Sequence, residues 1–300
     1  MSAPGPPPAE DMAWVPSGTF LMGSDDFYPE ERPVRRVAVD GLWIDMKPVT
    51  AAQFRRFARE TGYVTVAERP LDPQDYPDAD PELLVPGSLV FRKTAGPVPL
   101  DDVRNWWEYA PGASWKRPGG PGTTINGRDH HPVVQVAFED AAAYAAWAGK
   151  ELPTEADWEH AARGGLEGAP FVWGDEELPG GEPAANTWQG RFPWENLKLD
   201  GYEGTAPVGS FVPNGYGLYD MAGNVWEWTT DFFAPDGNGG APVCCAPSVM
   251  PGERFPRRVI KGGSHLCAAN YCLRYRPAAR QSETVDTSTS HIGFRCIVRA

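Results

Sequence analysis

Five cysteines in 300 residues are too few and too scattered for the disulfide framework of a small secreted domain. Reduced, intracellular thiols are the expectation. No apolar run approaches the roughly 18 residues of a membrane span, so no membrane partner is expected. The opening residues MSAPGPPPAED lack a basic n-region and an apolar h-region, which argues against a secretory signal and for a cytoplasmic protein. Basic residues are scattered, with no run longer than two, and the formal charge is 27 − 40 = −13. That excludes the electrostatic footprint of a nucleic-acid binder and favours a peptide or small-molecule partner. No H-E-x-x-H, G-x-S-x-G, P-loop or G-x-G-x-x-G pattern occurs, which removes the support for zinc-hydrolase, serine-hydrolase and nucleotide-binding readings.

What the chain does have is 33 Gly, 32 Pro and 35 aromatic residues (12 Trp, 13 Phe, 10 Tyr) on a 41% hydrophobic background. This composition predicts a folded α+β domain with long loops pinned by aromatics. Residues 1–11 read as a disordered Pro-rich tail, because they cannot bury enough surface to offset their ordering entropy. Residues 12–300 read as one domain. Strands are expected within Trp14 to Ser24 and Arg36 to Thr50. A helix follows Thr50, with Phe54 and Phe57 on one face and Gly62 as its stop; a second is expected over Glu139 to Lys150. A third starts at Thr154 and ends at Gly164-Gly165, with Glu155 and Asp157 favoured by the dipole of its first turn. His160 on that helix reads as a surface or boundary residue, and His130-His131-Pro132 as a turn. Residues Leu71 to Pro121 carry no assignable period.

Two stretches merit chemical attention. In KGGSHLCAANYCLRYRP, Cys267 and Cys272 stand five residues apart behind a Gly-Gly turn. On a helix they would lie about 140° apart, so they can meet only through an irregular loop. A structural disulfide, a metal clip and a redox pair all remain open. Cys244-Cys245 is an adjacent pair poorly placed to complete a zinc tetrathiolate. Two thiolates alone suit a soft ion of low coordination number, Cu(I) first, or a reversible disulfide. The segments Asn186 to Tyr202 and Asp220 to Trp228 combine acids or amides with sharp turns, as a Ca²⁺ site needs, but without EF-hand spacing. Acids that cap turns and face water explain them as well.

The strings GGSHLCAANYCLRYRPAAR, GNVWEW, LPTEADWEHAARGG, ANTWQGRFP and HIGFRC resemble the formylglycine-generating enzymes, also called sulfatase-modifying factors, from about Trp14 to Cys296. The resemblance implies a fold related to C-type lectins, low in regular structure. It implies an O2- and Cu(I)-dependent oxidase that converts the cysteine of a C-x-P-x-R segment in a nascent or unfolded sulfatase to Cα-formylglycine. Cys267 and Cys272 would hold the copper, and Ser264, Trp226 and Tyr271 would line the active site. Ser88 matches a groove position, Arg280 a nearby arginine, and His291 a position near the active site. Structural Ca²⁺ would be held by Asn186, the Thr187 carbonyl, Asp200 and the Tyr202 carbonyl. A second Ca²⁺ would take Asp220, the Gly223 and Val225 carbonyls, and Glu227.

The chain departs from the family pattern at Ala268, Asn270 and His291, where many members carry His, Ser and Asn, and at Gly87, where an acidic groove residue is expected. Pro277 and Ala145 replace disulfide cysteines of secretory-pathway members, which leaves Cys296 without its family partner. Two alternatives belong to the same superfamily. Iron-dependent sulfoxide synthases need a three-histidine site and a companion helical domain, neither of which is found in this sequence. A non-catalytic lectin-like peptide-binding module would make Cys267 and Cys272 a mere disulfide.

Overall fold

A computed structural model describes residues 3–234 and 254–300, so Cys244 and Cys245 lie outside the described residues. Eleven short strands and three helices are joined by long turns. Strand β1 (Met12–Val15) pairs antiparallel with β4 (Leu42–Asp45), which also takes β11 (Ile297–Arg299). Both ends of the chain therefore meet in one sheet. The tail is tied at its end, since Ala9 and Asp11 carbonyls accept from Met12 and Met46 N–H groups. Strands β2 (Gly18–Met22) and β3 (Arg35–Val39) form a hairpin. The stretch without a period contains a second hairpin, β5 (Gly87–Phe91) with β6 (Trp107–Pro111). Its strands are joined by a long irregular crossing, which is why no regular alternation marks it in sequence.

Helix α1 (Ala51–Thr61) begins on a capping box between Thr50 and Gln53 and stops at left-handed Gly62. Its buried Phe54 and Phe57 pack on Tyr144 of α2 (Phe138–Trp147), each contributing about 1.5–3 kcal/mol through burial. Helix α2 ends earlier than expected, turning at Gly149 with φ +67°. Helix α3 (Glu155–Arg163) has the expected cap, Thr154 with Asp157, and stops at Gly164. It is buried nearly all round, charged residues included. His160 is a correction: it is buried, its Nε2 sits 3.0 Å from the Pro16 carbonyl, and its ring touches Phe20 and Tyr216. The helix lies between the β2–β3 hairpin and the main sheet, so no face is left for solvent.

The main sheet runs β10 (Ile292–Gly293), β7 (Trp226–Phe232), β8 (Arg257–Lys261), β9 (Arg280–Thr284), with β10 parallel to β7 and the rest antiparallel. Charges between this sheet and α3 are buried in pairs. Lys261 Nζ, fully buried, is 2.9 Å from Glu159 Oε2, and Glu159 also takes Arg163. Glu227 on β7 is held by Arg295, both without exposure. Such pairs survive burial only when every lone pair and proton finds a partner, and Glu227 meets this with Trp158 Nε1 at 2.7 Å as its third donor. The loop after β8 carries the dithiol segment.

Candidate dithiol site

Strand β8 ends at Lys261 and the chain reverses at Gly262 and Gly263, both left-handed at φ +94° and +71°. A Cβ at Gly263 would lie 2.8 Å from the Arg274 carbonyl and one at Gly262 3.0 Å from the Trp158 ring. Only glycine lets the incoming and outgoing arms of this loop close on each other. Two local turns then fold it: Cys267 N–H donates to the Ser264 carbonyl, and Tyr271 and Cys272 N–H groups both donate to the Ala268 carbonyl. The outer edge of the loop is stitched to the Asn186 to Gln189 segment by Trp188 N–H to the Cys267 carbonyl at 2.9 Å.

These turns bring Cys267 and Cys272 Sγ to 3.4 Å, well beyond the roughly 2.05 Å of a disulfide. Both are free thiols, Cys267 at 2% exposure and Cys272 half-buried. Burial pushes the Cys267 thiol up, but a hydrogen bond from Cys272, the Ser264 N–H at 3.4 Å and the Arg274 charge outweigh it and hold it below the ordinary thiol value. Cys272 goes the other way: the hydrogen bond to Cys267 and burial raise it. Of the two, Cys267 is therefore the thiol that gives up its proton more readily.

The other expected residues are each fixed by packing or hydrogen bonds. Ser264 is fully buried and its Oγ accepts from Leu266 N–H at 3.2 Å. Trp226, at 1% exposure, packs in the same apolar cluster as Cys267. The Tyr271 ring stacks on Phe192 at 4.5 Å and meets Trp106 edge-on, so an aromatic wall fixes it. His291 is buried, pairs through Nδ1 with Thr289 Oγ1 and lies 4.8 Å from the Trp107 ring. Burial lowers its pKa to about 3, so it is neutral.

Two residues assigned to substrate are engaged elsewhere. Ser88 is buried with its hydroxyl bonded to Gln135 and Ser288. Arg280 forks onto both oxygens of Glu155 and donates further to the Glu30 and Ala234 carbonyls. Neither side chain is free to meet a ligand in this arrangement.

The calcium sets differ in fit. Asp200 Oδ2, the Thr187 carbonyl and Thr187 Oγ1 all converge on one nitrogen, Gln189 Nε2, while Tyr202 N–H donates to Asp200 Oδ1. Three oxygens gathered on a single donor are part of the six to eight that Ca²⁺ takes. Asn186 beside them turns its amide nitrogen to the Gly204 carbonyl and Asn224. In the second set, the Asp220 carboxylate accepts from Gly209 N–H at 2.7 Å, and burial raises its pKa to about 6. Glu227, however, is committed to Arg295 and Trp158. The second set therefore lacks an uncommitted pair of carboxylates. Among the described residues, no group of three or more His, Cys, Asp or Glu side chains is gathered as a metal cluster. The two soft sulfurs fit a soft ion of low coordination number and not a hard or octahedral one.

Two residues near the sulfurs carry no sequence signal of their own role. Arg274, two residues past Cys272, acts on both thiols by its charge, which lowers their pKa values. Tyr28 is remote in sequence, and its hydroxyl accepts from Leu273 N–H at 3.0 Å.

A loop-rich α+β scaffold built around two free thiols 3.4 Å apart is a protein whose chemistry centres on sulfur. The chain belongs to the sulfatase-modifying factor enzyme family, whose 1-like domain profile matches residues 2–300. It is 55% identical over 287 residues, 94% of this chain and 96% of that protein, to the formylglycine-generating enzyme of Mycobacterium tuberculosis. It is also 39% identical over 298 residues to the inactive C-alpha-formylglycine-generating enzyme 2 of Mus musculus, covering 96% of this chain and 86% of that one. Among solved structures it is similar to PvdO from Pseudomonas aeruginosa, with TM-score 0.66, 26% identity and full coverage of both chains.

Proposed function

We propose that this protein is a copper-dependent oxidase that converts the cysteine of a C-x-P-x-R segment, in a nascent or unfolded sulfatase, to Cα-formylglycine with O2. The observation that carries the reading is the Cys267–Cys272 pair, two free sulfurs 3.4 Å apart in a chain 55% identical to a protein named for this product. Cys267 and Cys272 would hold Cu(I), which supplies the one-electron chemistry with O2 that side chains lack. The protein's own contribution is positional. The Ser264 N–H donates to Cys267 Sγ and fixes its lone pairs. Tyr271, clamped by Phe192 and Trp106, and buried Trp226 are held in fixed positions.

The same reading places Ca²⁺ at Asn186, Thr187, Asp200 and Tyr202, supported by the oxygens that converge beside Asp200. A cytoplasmic location is supported by free thiols at Cys267, Cys272 and Cys296, which a reducing compartment preserves.

A second reading is a non-catalytic peptide-binding module. The similarity to a mouse relative named as inactive favours it. Mass spectrometry of a C-x-P-x-R peptide incubated with the protein, with and without Cu(I) and with and without oxygen, separates the two. Aldehyde that requires both is the expected result; peptide bound but unchanged in the copper-loaded protein would establish the module instead. Cys267→Ser and Cys272→Ser should each abolish aldehyde formation, while Cys296→Ala, at a fully buried thiol that burial pushes well up, should retain it.

A further inference from the structure

We propose that Tyr28 is a positioning residue for the Cys272 thiol. The inference rests on the dithiol reading above and extends it to a residue 244 positions upstream of that cysteine, which no motif connects to it. The backbone around Cys272 is hydrogen-bonded within its own loop. Its N–H donates to the Ala268 carbonyl at 2.7 Å and its carbonyl accepts from Arg274 N–H at 2.9 Å. The Leu273 carbonyl takes Arg276 Nε at 2.8 Å. The Leu273 N–H, on the peptide that leaves Cys272, finds its partner outside the loop, in the Tyr28 hydroxyl at 3.0 Å. A backbone donor inside a protein must be paired, and here the pairing fixes the peptide plane that aims Cys272 at Cys267.

The strap that presents Tyr28 is itself locked to the same loop. Glu31 grips Arg276 through both oxygens, with neither side chain exposed. Glu30 pairs with Arg274. The Arg274 guanidinium lies 3.9 Å over the Tyr28 ring and that of Arg276 3.6 Å over Phe27. Ion pairs and cation–π contacts hold the strap against the loop, but only the Tyr28 hydroxyl reaches the peptide next to the sulfur. Holding and aiming are thus separable. Cys272, the more exposed of the two cysteines, is the one whose placement depends on this bond.

The test is Tyr28→Phe, which deletes the hydroxyl and keeps the ring under Arg274, compared with Phe27→Leu, which weakens the strap without touching the bond. Alkylation of Cys272 by iodoacetamide in the metal-free protein, followed by peptide mass spectrometry, reports how firmly the thiol is held. Tyr28→Phe is expected to raise that rate and to weaken Cu(I) binding against a chromogenic chelator, each roughly tenfold, the order of one hydrogen bond. Its thermal midpoint should stay near that of the parent, and Phe27→Leu should alkylate at the parental rate. A Tyr28→Phe protein that alkylates like the parent, or fails to fold, overturns the proposal. So does a Phe27→Leu protein that alkylates as fast as Tyr28→Phe, since the effect would then belong to the strap as a whole. If the parent itself binds no Cu(I), the copper reading falls while the alkylation ratio still decides the role of Tyr28.

Discussion

His291 shows how one buried side chain couples stability to pH. Buried beside Trp107, it has its pKa lowered from 6.5 to about 3. The unfolded chain therefore takes up this proton first as the pH falls. Stability from His291 is complete above 6.5 and is lost between 6.5 and about 3, at about 1.4 kcal/mol per pH unit. Glu283 has the opposite sign: burial raises it from 4.5 to about 6, so its contribution is full below 4.5 and lost as the pH rises to 6. His291→Asn should therefore flatten the decline in stability between pH 6.5 and 5, measured by urea unfolding at each pH. An unchanged slope would mean that the histidine is hydrated and titrates normally.

At the scale of elements, α3 is the part on which the architecture most depends, because it is buried nearly all round and its charges have no solvent to return to. Its capping box is local and of modest value. Thr154→Ala should cost about 1 kcal/mol. The pairing with the sheet is different in kind. Lys261→Met strips Glu159 of a fully buried cation while leaving Arg163, and breaking a buried pair in this way costs about 3–5 kcal/mol. Denaturant titration of both variants should find Lys261→Met the more damaging by a clear margin. Equal losses would show that Arg163 alone neutralises Glu159.

For the whole molecule, the main question is what holds so many long turns. Part of the answer is aromatic packing, as in the Phe91, Trp106, Trp188, Phe192 and Tyr271 cluster. Bound Ca²⁺ beside Asp200 would add to it by linkage, since a ligand present at a hundred times its Kd stabilises by about 2.7 kcal/mol. Adding a calcium chelator should lower the thermal midpoint by several degrees, and restoring Ca²⁺ should recover it. Asp200→Ala should be insensitive to the chelator. A parent protein with the same midpoint in chelator and in calcium would remove the ion from the account.

Much of this was already set by local sequence. Thr50 with Gln53 and Thr154 with Asp157 fix helix starts, and Gly62 and Gly164 fix stops, because caps are satisfied within four residues. The dithiol segment was legible for the same reason: Gly262-Gly263 and the five-residue spacing of Cys267 and Cys272 lie on one stretch of chain. Tertiary structure decided the rest. It buried His160, because α3 is covered on every side, which its own amphipathic pattern does not reveal. It turned Ser88 and Arg280 toward Gln135 and Glu155. It also joined Tyr28 to Leu273 across 245 residues. Caps and turns are energies of neighbours in the chain, whereas burial and long-range pairing exist only once distant segments have displaced the water between them.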